Sequence, residues 1–402
     1  MAPYDPLSVA LHFPFFAKHP GITYLDNAAT AQVLGSAAAA AAEFYGKHVC
    51  VHRGSYGDGT PIEEIYEGAR SAVAKYIGAA EPEEIVFVRG TTEAINLAAH
   101  CWSRAFLRHG DRIVTTAMEH HSNFLPWRRA ADDFGAEFCV CPITPSGELD
   151  MEAFEKLLGE NTRLVAVCHA SNVLGTINPV AKIAEMAHAV GAVVLVDGAK
   201  WAGSGAINVG EIGSDFYALS GHKMFAGTGI GILHCRRKIL ESMDPMLLGG
   251  GMADLASNHF ACRPLPMKFE AGTQNIAGAI ALREAVAFLS DFPWASHREY
   301  CERIGNYVEN SIGEMDGIRL LGSPPEKVSV FSVVSDDVHS HDLATMLATK
   351  DVCVRAGHHC ATPLFSALAV GSALRASFGI YNTLDDAKKF IGALRWAMKR
   401  LS

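Results

Sequence analysis

The sequence predicts an α/β fold, with helices on both faces of a mainly parallel sheet, followed by a smaller α+β unit. Two observations carry this. Short apolar runs of strand length alternate with helix-length segments through the first two-thirds of the chain. Several of those runs are apolar throughout, as parallel strands buried on both faces require. After about residue 265 the texture changes to two helices, short strands and a final helix.

In chain order, Ile85–Val88, Arg112–Thr115, Glu137–Cys141, Leu164–Cys168, Val193–Val196, Phe216–Leu219 and Gly229–Leu233 read as strands. Thr92–His109, Met151–Leu158 and Ala181–Val190 read as the helices between them. The alanine-rich run Ala37–Ala42 is an ordinary helix with Ser36 as its expected N-cap. Gly278–Ser290, Ser296–Met315 and Leu384–Lys399 read as helices of the last third. The expected division is a large domain over residues 21–265 and a smaller one over 266–402, with residues 1–20 packing on the second.

The 402 residues are 49% hydrophobic and 19% charged, enough to bury a sizeable core. A formal net charge of −9 argues against a nucleic-acid or anionic-membrane surface. No apolar window approaches the roughly 18 to 20 residues that span a bilayer. No basic segment precedes an apolar one at the N-terminus, so no signal peptide is expected and a cytoplasmic location is. The 10 cysteines are scattered, with no Cys-x-x-Cys pair and no zinc-finger spacing.

Three features fall at strand ends, where open α/β sheets place their ligands. Arg89-Gly90-Thr91-Thr92-Glu93-Ala94 follows a strand and opens a helix. Its glycine, hydroxyls and helix N-terminus suit a phosphate. Asp197 ends the run Val193-Val194-Leu195-Val196, as a metal ligand, a ribose binder or a partner for a protonated ring nitrogen does. Ser220-Gly221-His222-Lys223 follows another strand, and a lysine there suits a Schiff base with an aldehyde cofactor. Taken singly these are also an ordinary cap, a lone acid and a surface lysine. Together and in this order they are the three anchors of pyridoxal phosphate. The nicotinamide fingerprint Gly-x-Gly-x-x-Gly and the P-loop are both absent. A fourth stretch, Arg355-Ala356-Gly357-His358-His359-Cys360, reads as a metal site, a nucleophile or an inert loop. Adjacent side chains diverge, which disfavours one tetrahedral metal, and no metal is expected.

Longer motifs carry a resemblance. Tyr24-Leu25-Asp26-Asn27-Ala28-Ala29-Thr30, Val51-His52-Arg53-Gly54, Met118-Glu119-His120-His121 and Ser171-Asn172-Val173-Leu174-Gly175-Thr176 precede the Ser220–Lys223 segment. Phe269-Glu270-Ala271-Gly272-Thr273, the Arg355–Cys360 stretch and Arg375-Ala376-Ser377 follow it. With these the chain resembles, nearly end to end, the class V aminotransferase family of fold-type I pyridoxal-phosphate enzymes, and within it the SufS-type (group II) cysteine desulfurases. The resemblance implies that Lys223 carries the cofactor, Asp197 holds its pyridine nitrogen and His120 stacks on its ring. It places Thr91, Thr92, Ser220 and His222 on the phosphate, and Thr273 on the phosphate of a neighbouring subunit in a homodimer. Asn172 and Arg375 would bind the substrate carboxylate, with Arg355, His52 and Arg53 as further substrate-binding residues. Cys360 falls on the nucleophile, and nearby Arg355, His358 and His359 are expected to favour its thiolate.

The implied reaction converts L-cysteine to L-alanine, with a persulfide on Cys360 passed to a SufE-like or SufU-like acceptor for iron–sulfur cluster assembly. L-Selenocysteine would fit the same site, so a selenocysteine lyase or another class V enzyme stays open, as does a non-catalytic sulfur-relay scaffold. Two segments depart from the family pattern. Lys200, in Asp197-Gly198-Ala199-Lys200, stands where a cofactor-binding glutamine is usual, and Ser55-Tyr56-Gly57-Asp58-Gly59 replaces a histidine-containing run.

Overall fold

The structure, a computed structural model, describes residues 4–47, 62–256 and 259–401. Seven strands form the central sheet, in the order Ile85–Val88, Gly231–Cys235, Phe216–Ser220, Val193–Asp197, Thr162–Cys168, Arg112–Thr116 and Glu137–Cys141. Only Gly231–Cys235 runs against its neighbours, so the sheet is mixed but mostly parallel.

The apolar runs are buried on both faces. Val165, Val167, Val194, Val196 and Leu219 point into one core, while Leu164, Ala166, Leu195, Phe216 and Ala218 point into the other. Successive residues of a strand face opposite sides, so a continuous apolar run serves two helical layers. Helix Ile276–Ser290 joins the first core, packed on helices Gly35–Lys47 and Ile62–Ile77.

A second, four-stranded antiparallel sheet orders Arg319–Leu320, Val330–Val334, Ala373–Ser377 and Arg355–Gly357. Its core takes side chains from helices Trp294–Gly313, Ser340–Ala348 and Leu384–Leu401. The N-terminal segment reaches it: Thr23–Tyr24 pairs with Val352–Cys353, and Asp26 bridges to Ser377. Among the described residues no helix is long and apolar enough to cross a membrane.

Several expected element ends shift, three of them for a visible local reason. The alanine-rich helix begins at Gly35, so Ser36 lies inside its first turn and is not its cap. The strand expected from Gly229 begins at Gly231, because Gly227 and Gly229 take left-handed φ values of 93° and 79° in the preceding turn. The helix expected to reach His109 ends at Phe106, where the buried Leu107 turns extended.

One buried ion pair ties the two ends of the large layer together. Arg70 donates Nη1 and Nη2 to the two carboxylate oxygens of Glu270 at 2.7 and 2.9 Å, and Nη1 also to the Ile85 carbonyl at 2.7 Å. Glu270 also accepts the Phe87 N–H at 2.7 Å and the Tyr66 hydroxyl at 3.1 Å. Removing one partner strands a desolvated charge, which costs about 3–5 kcal/mol. Arg70→Met should therefore lower the unfolding free energy by that order, read from urea unfolding followed by circular dichroism. A loss below about 1 kcal/mol would show that water reaches Glu270.

Candidate active site

The parallel sheet sets the site. Asp197 ends its strand beside Ala218 of the next, and that strand ends two residues later at Ser220 and turns through Gly221–Lys223. Asp197 and Lys223 thus line one cavity of about 490 Å³. Across the sheet, the strand Ile85–Val88 delivers the helix Thr91–Phe106, whose first turn lines the same space. A Cβ on Gly90 would meet Ser220 Oγ at 3.1 Å, so glycine permits the close approach. The Thr91 N–H donates to Ser220 Oγ at 2.8 Å, and hydroxyl pairs join Thr91 to Ser220 at 2.8 Å and Thr92 to Ser122 at 2.7 Å. The N-cap residue, Gly90, has no side chain to cap the first turn, so among the described residues the terminus is lined by hydroxyls and suits an anion.

Burial shapes the charges. It raises the Asp197 carboxyl, against which the Ala199 N–H at 2.9 Å and the Lys223 cation act. It lowers the Lys223 ammonium, and Asp197 opposes that. Burial, helped by Lys223, takes His120 down to about 4 and His222 to about 4, so both rings are neutral at pH 7. A neutral, partly buried His120 is suited to lie against a planar ring.

Cys360 reaches the cavity from the other sheet. His359 and Cys360 have left-handed φ values of 51° and 55°, a conformation that costs a non-glycine residue roughly 1 kcal/mol or more. Four hydrogen bonds hold it. The His121 N–H donates to the Cys360 carbonyl at 2.7 Å and Asn172 Nδ2 to the His359 carbonyl at 2.9 Å. The Thr362 N–H donates to His121 Nε2 at 3.2 Å, and His359 Nε2 to the Ala373 carbonyl at 3.1 Å. The strain is over-determined, and it leaves the Cys360 side chain exposed at the cavity. His359 departs from expectation. Burial, aided by Arg375, lowers it to about 3, so it is neutral and lends Cys360 no positive charge. The cations facing Cys360 are Arg355, Arg375 and Lys223.

Arg375 is 2% exposed. Its Nη1 donates to the Asn172 carbonyl at 3.0 Å and its Nη2 to Asp26 Oδ1 at 3.2 Å, while its Nε is buried with no partner. Arg355 donates Nη2 to Asp26 Oδ2 at 2.9 Å. One carboxylate thus holds both guanidiniums, and the second N–H groups of Arg375 Nη1 and Nη2 are left for a ligand carboxylate.

The structure brings Thr91, Thr92, His120, Asn172, Asp197, Lys200, Ser220, His222, Lys223, Arg355, Cys360 and Arg375 to one cavity. Thr273 is not among them. It is exposed, on a separate cavity with Tyr66 and Glu270. His52 and Arg53 lie outside the described residues, as does Ser55–Gly59. Sequence reasoning missed Asp26 and Glu119, although both sit in quoted motifs. Glu119, the residue before His120, is fully buried and accepts Thr116 Oγ1 at 2.6 Å, Asn123 Nδ2 at 2.6 Å and the Cys168 N–H at 2.9 Å.

These residues fit pyridoxal phosphate. The uncapped helix terminus and its hydroxyls suit the phosphate, Asp197 has an oxygen free of protein hydrogen bonds for the ring nitrogen, and Lys223 suits the aldehyde. Fold and cavity together define a fold-type I pyridoxal-phosphate enzyme. The comparisons agree. Residues 23–390 match the family Aminotransferase class-V, and the chain belongs to that family. It is 44% identical over 367 residues to a "Probable cysteine desulfurase" of Halalkalibacterium halodurans, covering 91% of this chain and 90% of that one. A protein of the same name from Vibrio cholerae is 39% identical over 382 residues, 94% of each chain. The crystal structure of the Escherichia coli cysteine desulfurase CsdA superposes with a TM-score of 0.93 at 34% identity, covering 100% of both chains. An apo cysteine desulfurase from Thermococcus onnurineus also gives 0.93 at 34%, over 100% of this chain and 99% of that one.

If Lys223 carries the cofactor, borohydride reduction and peptide mapping should place the pyridoxyl label on Lys223. A label on Lys200 would overturn that placement. Lys223→Ala should abolish turnover even where cofactor still binds.

Proposed function

We propose that this protein is a cysteine desulfurase that converts L-cysteine to L-alanine and leaves the sulfur as a persulfide on Cys360. The observation that carries the reading is the meeting of Lys223, Asp197 and Cys360 in one cavity, beside an arginine with unused N–H groups. Relatives that are cysteine desulfurases by name support it.

When bound, pyridoxal phosphate supplies an aldehyde for the substrate amine and a ring that stores the electrons released at Cα. Thr91, Thr92, Ser220 and His222 would hold the phosphate, Asp197 would keep the ring nitrogen protonated, and the neutral His120 would offer its face to the ring. Arg375 takes the substrate carboxylate through guanidinium N–H groups that its bonds to Asn172 and Asp26 leave unused, and the second N–H of the Asn172 amide completes the grip. Arg355 lines the same cavity as a further substrate-binding residue, a role the family resemblance also gives His52 and Arg53. Lys223 Nζ removes the Cα proton as general base. Cys360 Sγ attacks the substrate sulfur, so an S–S bond forms as the Cβ–S bond breaks. The electron pair stays on Cβ, which takes a proton and becomes alanine's methyl group, and Lys223 returns a proton to Cα before alanine leaves.

The persulfide then passes to a SufE-like or SufU-like protein for iron–sulfur cluster assembly in the cytoplasm. The enzyme is a SufS-type homodimer in which Thr273, away from its own chain's cavity, reaches the phosphate site of the second copy. The two sheets are the frames of two domains, expected to divide near residue 265, but helix Ile276–Ser290 and Phe13 of the N-terminal segment pack in the core of the first. L-Selenocysteine fits the same grip. A sulfur-relay scaffold, by contrast, has no use for Lys223 and Asp197.

Assay of alanine and sulfide from L-cysteine, with and without a candidate acceptor, tests the reading. Cys360→Ser should keep the visible cofactor band and its response to L-cysteine, while alanine formation falls by roughly 100-fold or more, the scale of losing a covalent nucleophile. Wild-type turnover in Cys360→Ser would place the nucleophile elsewhere. Selenocysteine turnover should suffer less, since a selenol leaves more readily.

A further inference from the structure

Lys200 is 8% exposed and lines the catalytic cavity three residues beyond Asp197. Its Nζ donates to Ser204 Oγ at 2.8 Å, and among the described residues no carboxylate pairs with it. The buried acid of the cavity, Asp197, faces Lys223 instead. The charged neighbours of Lys200 are cations, Lys223 from the turn after its strand and Arg375 from the second sheet. Helix Trp294–Gly313 adds Cys301 and His297, and both are neutral. Burial pushes the Cys301 thiol up to about 11 and takes His297 down to about 4. A buried ammonium without a counter-ion is costly, and lysine surrenders its proton under such conditions. Burial first, then Lys223 and Arg375, lowers Lys200 to about 7.

We propose that Lys200 is a cofactor-sensing amine: the chain withholds its counter-ion, the anionic cofactor supplies it, and Lys200 takes up a proton when the cofactor binds. The inference rests on the cofactor reading above. The phosphate and ring oxygen bring negative charge into a cavity that otherwise holds cations around Lys200. An anion there restores the charged form, since opposite charge within a few ångströms raises a lysine. A glutamine at this position would contact the cofactor without changing charge. Lysine makes cofactor capture pH-dependent, and the dependence has a definite sign. Below pH 7 Lys200 is already charged and binding takes up little. Above it, each binding event draws a proton from solution, so affinity gains a dependence on proton concentration.

Calorimetric titration of pyridoxal phosphate into the full-length apoprotein, in buffers of different ionisation enthalpy, counts the protons. Titration of Lys223 and of the cofactor contributes in every variant, and because Lys223 and Lys200 repel each other the neutral Lys200→Gln and the permanently charged Lys200→Arg bracket its change. At pH 8, wild type should take up about 0.9 proton per site more than Lys200→Gln, and at pH 6 only about 0.1 more. Lys200→Arg keeps a permanent cation. It should bind cofactor, with its visible band, but show no excess uptake over Lys200→Gln at pH 8. Equal uptake by wild type and Lys200→Gln at pH 8, with cofactor bound in both, would overturn the proposal. So would wild-type uptake by Lys200→Arg, which decides the matter if Lys200→Gln fails to bind. Wild-type protein that binds no cofactor at all would instead defeat the cofactor reading.

Discussion

The parallel pairing of Val193–Asp197 with Phe216–Ser220 is the constraint on which the site depends. Parallel strands end on the same side of a sheet, so a residue finishing one strand and a turn finishing the next share one space. That register puts Asp197 opposite Ala218 and lets the chain run on to Lys223. A carboxylate and an amine buried together each offset part of the other's desolvation. Antiparallel pairing of the same two strands would send them to opposite edges.

The second sheet contributes what the first cannot, an exposed cysteine and two guanidiniums at the cavity. It does so through strain and shared charge. Cys360 stands in a left-handed turn, pinned by His121 from the central-sheet layer and by Asn172 from the segment after Thr162–Cys168. Asp26 holds Arg355 and Arg375 at once, leaving a net positive charge beside the cysteine. The two sheets therefore meet through functional residues as well as through packing.

Much of this was legible in the sequence, for reasons that differ by element. Strands such as Leu164–Cys168 announce themselves because double-sided burial demands unbroken apolar residues. Asp197 and Lys223 stand out as polar residues directly after such runs. Asp26 was invisible as a ligand of Arg375 because their contact spans 349 positions, and no local pattern encodes it. Glu119 was hidden for the same reason, since its partner Cys168 lies 49 positions away. The neutrality of His359 could not be read either. Three basic residues in one stretch look cationic, and only burial against Ala373 and beside Arg375 reveals that one is not. Ser36 failed as a cap because the helix gained one residue before it, Gly35, whose own N–H bonds the His12 carbonyl of the N-terminal segment.

The central claim is that this cavity moves sulfur from a free amino acid to Cys360. Its most direct test is a single pulse of sulfur-labelled L-cysteine to the cofactor-loaded protein, followed by alkylation and peptide mapping without reductant. The account predicts one labelled sulfur on the peptide that contains Cys360, released by a thiol reductant, with an equal amount of alanine. Label on any of the other cysteines, or alanine formed with no sulfur left on the protein, would contradict it.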